Sequence, residues 1–146
     1  MSDLIKIEKP ELPARIEKLR DFIVIRRREI TAYRAKLRAL DDIGLVEKRK
    51  EVLGEAQNKA EEVLAAEAEL GALLEPLTEG HEATSAKGRS SLPPGISHKQ
   101  SHEIQKINKH WEIAEDFMAE SRENEQIATH TGLIKWINIA KALPSD

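Results

Sequence analysis

The 146-residue chain contains no cysteine. That excludes a disulfide framework, a thiol nucleophile and a thiolate metal site together. Aromatic residues are almost missing, with two Trp, two Phe and one Tyr. Each buried ring removes roughly 150–250 Å² from water, so five rings do not build one thick core. The apolar residues, 40 % of the chain, are mostly Ala, Leu and Ile, a composition suited to thin helix–helix seams. No apolar run approaches the ~20 residues that span a bilayer. Met1-Ser2-Asp3 does not open a signal peptide, so a cytoplasmic protein without membrane association is expected. Strong net charge is lacking too: 23 Lys and Arg face 26 Asp and Glu, a balance of −3. The length suits one domain, or one modest domain with an appendage.

Charge is nevertheless uneven along the chain. Residues 1–44 carry eleven basic and eight acidic side chains, and residues 45–80 carry four against nine. Within 81–111, Lys87, Arg89, Lys99, Lys106 and Lys109 face only Glu82 and Glu103, and four of the five histidines lie there. Such asymmetry points to local electrostatic tasks.

From Ala14 onward, Ile16, Leu19, Ile23, Ile30, Tyr33, Leu37 and Leu40 recur at spacings of three, four and seven. This is the period of a helix with one buried stripe. Pro10 and Pro13 restrict an earlier start, and Gly44 can take the left-handed conformation that ends the helix. A second helix is predicted from Leu45 to Leu74, stopped by Pro76, with Leu53, Ala56, Ala60, Val63, Leu64, Leu70 and Leu74 as its stripe. A basic helix and an acidic helix joined by a short turn make an antiparallel hairpin. Arg26-Arg27-Arg28 point ~100° apart on a helix, which favours ion pairing across the hairpin over one basic surface. The hairpin is expected either to dimerise into four helices or to fold back on the C-terminal helices.

Residues 78–95 hold one Leu, three Gly and two Pro without any period, and read as a flexible linker. Ser97 and Gln100 then form a Ser-x-x-Gln capping box. Its helix runs to Lys109 with Ile104 and Ile107 buried. A second helix spans Trp111 to Glu123, and a third follows the cap at 128–132 with Leu133, Trp136, Ile137, Ala140 and Leu143 on one face. The expected fold is all-α: a long antiparallel helical hairpin (14–77), the linker (78–95) and a small three-helix C-terminal module (96–146).

The stretch Gly95-Ile96-Ser97-His98-Lys99-Gln100-Ser101-His102-Glu103-Ile104 is similar to the turn and recognition helix of helix-turn-helix proteins. With Ala68-Glu69-Leu70-Gly71-Ala72-Leu73-Leu74, Ile113-Ala114-Glu115-Asp116-Phe117-Met118-Ala119-Glu120 and Thr129-His130-Thr131-Gly132-Leu133, it resembles a group of phage and prophage proteins. In those, a helical pair, a linker and a Gly-Ile-Ser-x-x-Gln-Ser module follow in this order. The resemblance covers roughly residues 45–140 and implies DNA binding or gene regulation. The chain departs from a helix-turn-helix at Pro93-Pro94, where a supporting helix is sterically excluded. Either the Trp111 to Glu123 helix supplies that support or the motif does not read DNA.

On the DNA reading, the contacts are Ser97, Lys99, Gln100, Ser101, His102, Gln105, Lys106 and Lys109. Gln can read adenine bidentately, Ser and Lys reach phosphates or base edges, and a helix N-terminus favours a phosphate. Lys87 and Arg89 would add contacts from the linker. The same residues also suit an ordinary solvated helix face. His98 and His102 share a helical face at metal-ligand spacing, but no third ligand follows at a recognisable interval, so no metal or cofactor is expected. No Gly-rich phosphate loop or Gly-x-Ser-x-Gly elbow occurs, and the acid pairs suit solvation, so catalysis is not expected. Trp111 and Trp136 suit burial better than base stacking. The sequence therefore points to a homodimeric DNA-binding regulator. The competing class is an adaptor that binds a host protein through the hairpin or the module.

Overall fold

An apolar stripe needs a second surface to cover it, and the second long helix answers that need twice. The computed structural model describes residues 2–78, 92, 93 and 95–142. Its helices are α1 (Ser2–Ile43), α2 (Val46–Thr78), α3 (His98–Lys109), α4 (Trp111–Glu123) and α5 (His130–Ala142). The protein is all-α, a long antiparallel hairpin with a small three-helix C-terminal module. No strand occurs among the described residues. No helix among them is long and apolar enough to cross a membrane. The predicted linker, including His81, Lys87 and Arg89, lies almost wholly outside the described residues.

In the hairpin, Ile16, Ile23, Leu37 and Leu40 of α1 are buried against α2, with Leu19, Ile30 and Tyr33 half-buried. Gly44 turns the chain with φ of +73°, a conformation that costs glycine little. Ion pairs run up the seam as residue numbers rise in α1 and fall in α2: Arg15 with Glu69, Arg26 with Glu62, Asp41 with Arg49. Arg26 donates to Glu62 at 2.8 Å and to Glu29 at 3.0 Å, and stacks 4.6 Å over the Phe22 ring. The Arg26–Arg28 run thus divides between inter-helix pairing and solvent.

Two boundaries differ from the sequence expectation. Helix α1 starts at Ser2, not Ala14, and passes through Pro10 and Pro13. Each proline removes one backbone donor yet holds φ near the helical value, so a long helix continues past both. Pro76 does not stop α2 but sits inside its last turn, where the one bond it cannot donate, to the Ala72 carbonyl, leaves little helix beyond it to disrupt.

Helix α2 is buried on two faces. Val63, Ala66, Leu70 and Leu74 cluster with Ile16 and Ile23 of α1, while Leu64 and Ala68 enter a cluster with Ile107, Ala114, Leu133 and Ile137. Conversely, Ile104 of α3 joins the hairpin cluster around Ile16, Ile23 and Leu70. The C-terminal helices therefore cover α2 rather than standing apart from it. Gly71 permits the approach: a Cβ there would run into the carbonyl of Ile104, 2.7 Å from its carbon, and lie 2.9 Å from the Gln105 nitrogen. The turn between α4 and α5 is fixed to α2 as well. Gln57 donates to the Gln126 carbonyl at 3.0 Å, and Arg122 donates to Glu61 and Asn58 at 2.6 and 2.7 Å.

The last helix corrects one expected face. Leu133 and Ile137 are fully buried, but Trp136 lies at the rim, its ring 5.5 Å from that of Phe117. Leu143 lies outside the described residues.

Candidate nucleic-acid interface and adjoining groove

Helix α3 opens as the capping box requires. The Ser97 hydroxyl accepts from the Gln100 amide at 3.0 Å, and the Gln100 side chain accepts from the Ser97 amide at 3.0 Å. The residues before it, Leu92, Pro93 and Gly95 to Ser97, are not helical. Nothing helical therefore stands immediately ahead of α3 among the described residues. Ile104 and Ile107 face the core as their spacing predicts.

The eight predicted contact residues do not share one surface. Ser101 is only 2 % exposed, packed inward with its hydroxyl accepting from the Gln105 side chain at 2.8 Å. It is thus withdrawn from an exposed face, because the Gly71 approach presses that side of α3 onto α2. Ser97 and Gln100 are committed to the cap, although both stay exposed. His102 and Lys109 are exposed on the outer side, and Lys106 is half-buried, donating to Asn138 at 2.9 Å.

What remains divides into two basic regions. At the C-terminal end of α3, Lys106 and Lys109 meet Lys141 of α5 around His110. Burial pushes the His110 imidazole down from its ordinary value, and Lys141, Lys106 and Lys109 add to that in turn. The local sequence around α3 gives no sign of Lys141, which lies 32 residues beyond Lys109 and arrives only because α5 packs beside α3.

The second region is a groove of about 660 Å³ between α1 and the first turns of α3 and α5, with α2 as its floor. Arg20, Arg27 and Arg34 line it from α1, and Lys99 and Gln100 from α3. Its apolar walls include Ile23, Val24, Ile30, Val63 and Ile96. The three arginines are seven residues apart, each four after Ile16, Ile23 or Ile30. That register places them in one row beside the buried stripe, as flanking positions of a heptad do. The heptad interval is the sequence signal for this row, and the denser run 26–28 masks it.

A charged cluster lies within the groove, beside Arg27 in the middle of the arginine row. Glu67 is 2 % exposed, and one of its oxygens accepts from Arg27 while the other lies 2.9 Å from Nδ1 of His130. Nε2 of His130 lies 2.8 Å from Glu103. The hydrogen bond to Glu67, opposed in part by burial and reinforced by Glu103, raises the His130 imidazole above its ordinary value. An imidazolium donating to two carboxylates fits this geometry. Because the carboxylates flank opposite ring nitrogens, their oxygens do not converge with an imidazole nitrogen on one point. Among the described residues no three His, Asp or Glu side chains gather as a metal site, His98 and His102 included.

No protein-family model, curated protein or solved structure matches the chain.

Proposed function

We propose that the chain is a non-catalytic, phage-type DNA-binding regulator whose 95–109 segment meets the phosphate backbone. The observation that supports this reading is the lysine cluster around His110. In a chain of net charge −3, Lys106, Lys109 and Lys141 gather near His110, where their charges add to the burial that lowers its imidazole. A basic face gathered from two packed helices is the electrostatic footprint expected of a phosphate-binding surface. His102 extends that face along α3, and the capped N-terminus of α3 favours an anion. The apolar hairpin tip supplies surface for a homodimer, with Ile43, Leu45 and Val46 each at least half exposed. Pairing there would set two modules at a fixed spacing, which strengthens weak individual contacts.

The test is a salt series of binding to random duplex DNA, with mass measured by light scattering on the same sample. Affinity is expected to fall linearly in log–log against salt. The Lys106→Glu, Lys109→Glu variant should lower that slope by about one for each phosphate it no longer neutralises. Absence of binding at ~50 mM salt, where such interactions are strongest, overturns the reading. The adaptor reading has a separate observation in its favour, the groove beside α1.

A further inference from the structure

We infer that the groove between α1 and the first turns of α3 and α5 docks an acidic amphipathic helix of a protein partner. The inference goes beyond the DNA reading and does not depend on it. Three observations carry it: the groove's shape, its apolar walls and an excess of cations over acids along it.

The shape is that of a trough between helices. Helix α1 forms one wall, the Gly95–Gln100 and Thr129–Thr131 turns form the other, and α2 closes the bottom. From Arg20 to Arg34 the α1 wall rises through fourteen residue steps, about 21 Å at ~1.5 Å per residue, the length of a four-turn helix. Ile23, Val24 and Ile30 alternate with the arginines along it. An amphipathic helix seats its i, i+3, i+4 and i+7 apolar side chains in a groove of this kind.

The charge of the occupant follows from what α2 does not supply. Arg27 has Glu67 opposite it on α2. One heptad further along α1 stands Arg34, and one heptad back along the antiparallel α2 stands Ala60, not an acid. At this register α2 presents Ala60, Glu67 and Leu74, so it sets no acid opposite Arg34. Among the described residues, Arg34 and Lys99 make no ion pair or hydrogen bond, and both are exposed. The cations lining the groove are Arg20, Arg27, Arg34, Lys99 and the protonated His130, and its lining acids are Glu67 and Glu103. A groove positive within a negative chain selects a negative partner and hastens its encounter. Carboxylates on the occupant would meet Arg34 on the α1 wall and Lys99 on the α3 wall. Among the described residues no Phe, Tyr or Trp lines the groove, so it lacks the broad stacking platform by which single-stranded nucleic acid is held.

A displayed library of helix-biased sixteen-residue peptides, panned against the full chain, tests this directly. Recovered peptides are expected to share an aliphatic face flanked by Glu or Asp, and to bind more weakly as salt rises. Fluorescence anisotropy of synthetic copies should show at least a tenfold loss with Arg34→Glu plus Lys99→Glu, and no more than a twofold change with Lys106→Glu plus Lys109→Glu. Circular dichroism melts report whether the charge-reversed chain is folded. If it is not, Arg34→Gln plus Lys99→Gln takes its place, with at least a threefold loss expected. Recovery of no peptide, of peptides without acidic enrichment, or of peptides that bind the groove variant as well as the parent overturns the proposal. So does a groove variant that loses duplex DNA but keeps its peptides. Failure of DNA binding with intact peptide binding would overturn only the DNA reading.

Discussion

Replacing His130 by Ala tests whether the α2–α3–α5 junction is held by a protonated histidine. The imidazole donates to Glu67 on one side and Glu103 on the other, and its side chain is 20 % exposed. A hydrogen bond to a charged group contributes about 1.5–3 kcal/mol in a buried setting. Two such bonds set an upper bound of about 6 kcal/mol, which the exposed share of the site reduces by screening. Glu67 also keeps Arg27 after the substitution, so its buried carboxylate is not left unpaired and the full penalty for an orphaned charge does not apply. The expected loss is about 2–4 kcal/mol, or roughly 4–16 °C at the 2–4 °C per kcal/mol typical of a chain near this size. The pH dependence carries a distinct signature. A base whose folded-state value is raised stabilises fully below its unfolded value of 6.5 and loses that contribution as pH rises through the folded value. His110, lowered from 6.5, acts in the opposite sense: its contribution is present above 6.5 and is lost as pH falls. Urea unfolding followed by circular dichroism from pH 5 to 9 separates the two. The parent should lose stability above pH 6.5, and His130→Ala should lose most of that slope while keeping the acid-side dependence. A loss under about 1 kcal/mol, or parallel profiles above pH 6.5, refutes the bridging imidazolium.

Two glycines of α2 should respond oppositely to alanine. Gly71→Ala places a methyl against the Ile104 backbone, which cannot rotate aside, so a loss of about 1–3 kcal/mol is expected from overpacking, seen in thermal melts. Gly54→Ala meets nothing within 4 Å and should gain about 0.5–1 kcal/mol from helix propensity. Ser97→Ala removes the hydroxyl that caps α3 and should cost about 1 kcal/mol. Hydrogen exchange should then quicken at the first turn of α3, with the α1–α2 seam unchanged.

Helices with a period and a cap were legible in the chain itself. The Ile16 to Leu40 spacing, the Gly44 turn, the Ser97–Gln100 box and the limits of α3 and α4 all appear as their local chemistry dictates. These signals act over a few residues, through side-chain period, backbone preference and hydrogen bonds three positions apart. Long helices overrode the proline signals: Pro10 and Pro13 have helical turns on either side, and Pro76 lies within the last turn of α2.

The second face of α2 was decided only by tertiary structure. Leu64, Ala68 and Gly71 look like one more stretch of an Ala-rich helix until α3 and α5 pack over them. That packing withdraws Ser101, assembles Lys106, Lys109 and Lys141 around His110, and joins Glu67 to a histidine 63 residues away. Sequence period fixes which side of a helix is apolar, but not which helix will cover it. Charges far apart in the chain acquire shared chemistry only once that choice is made.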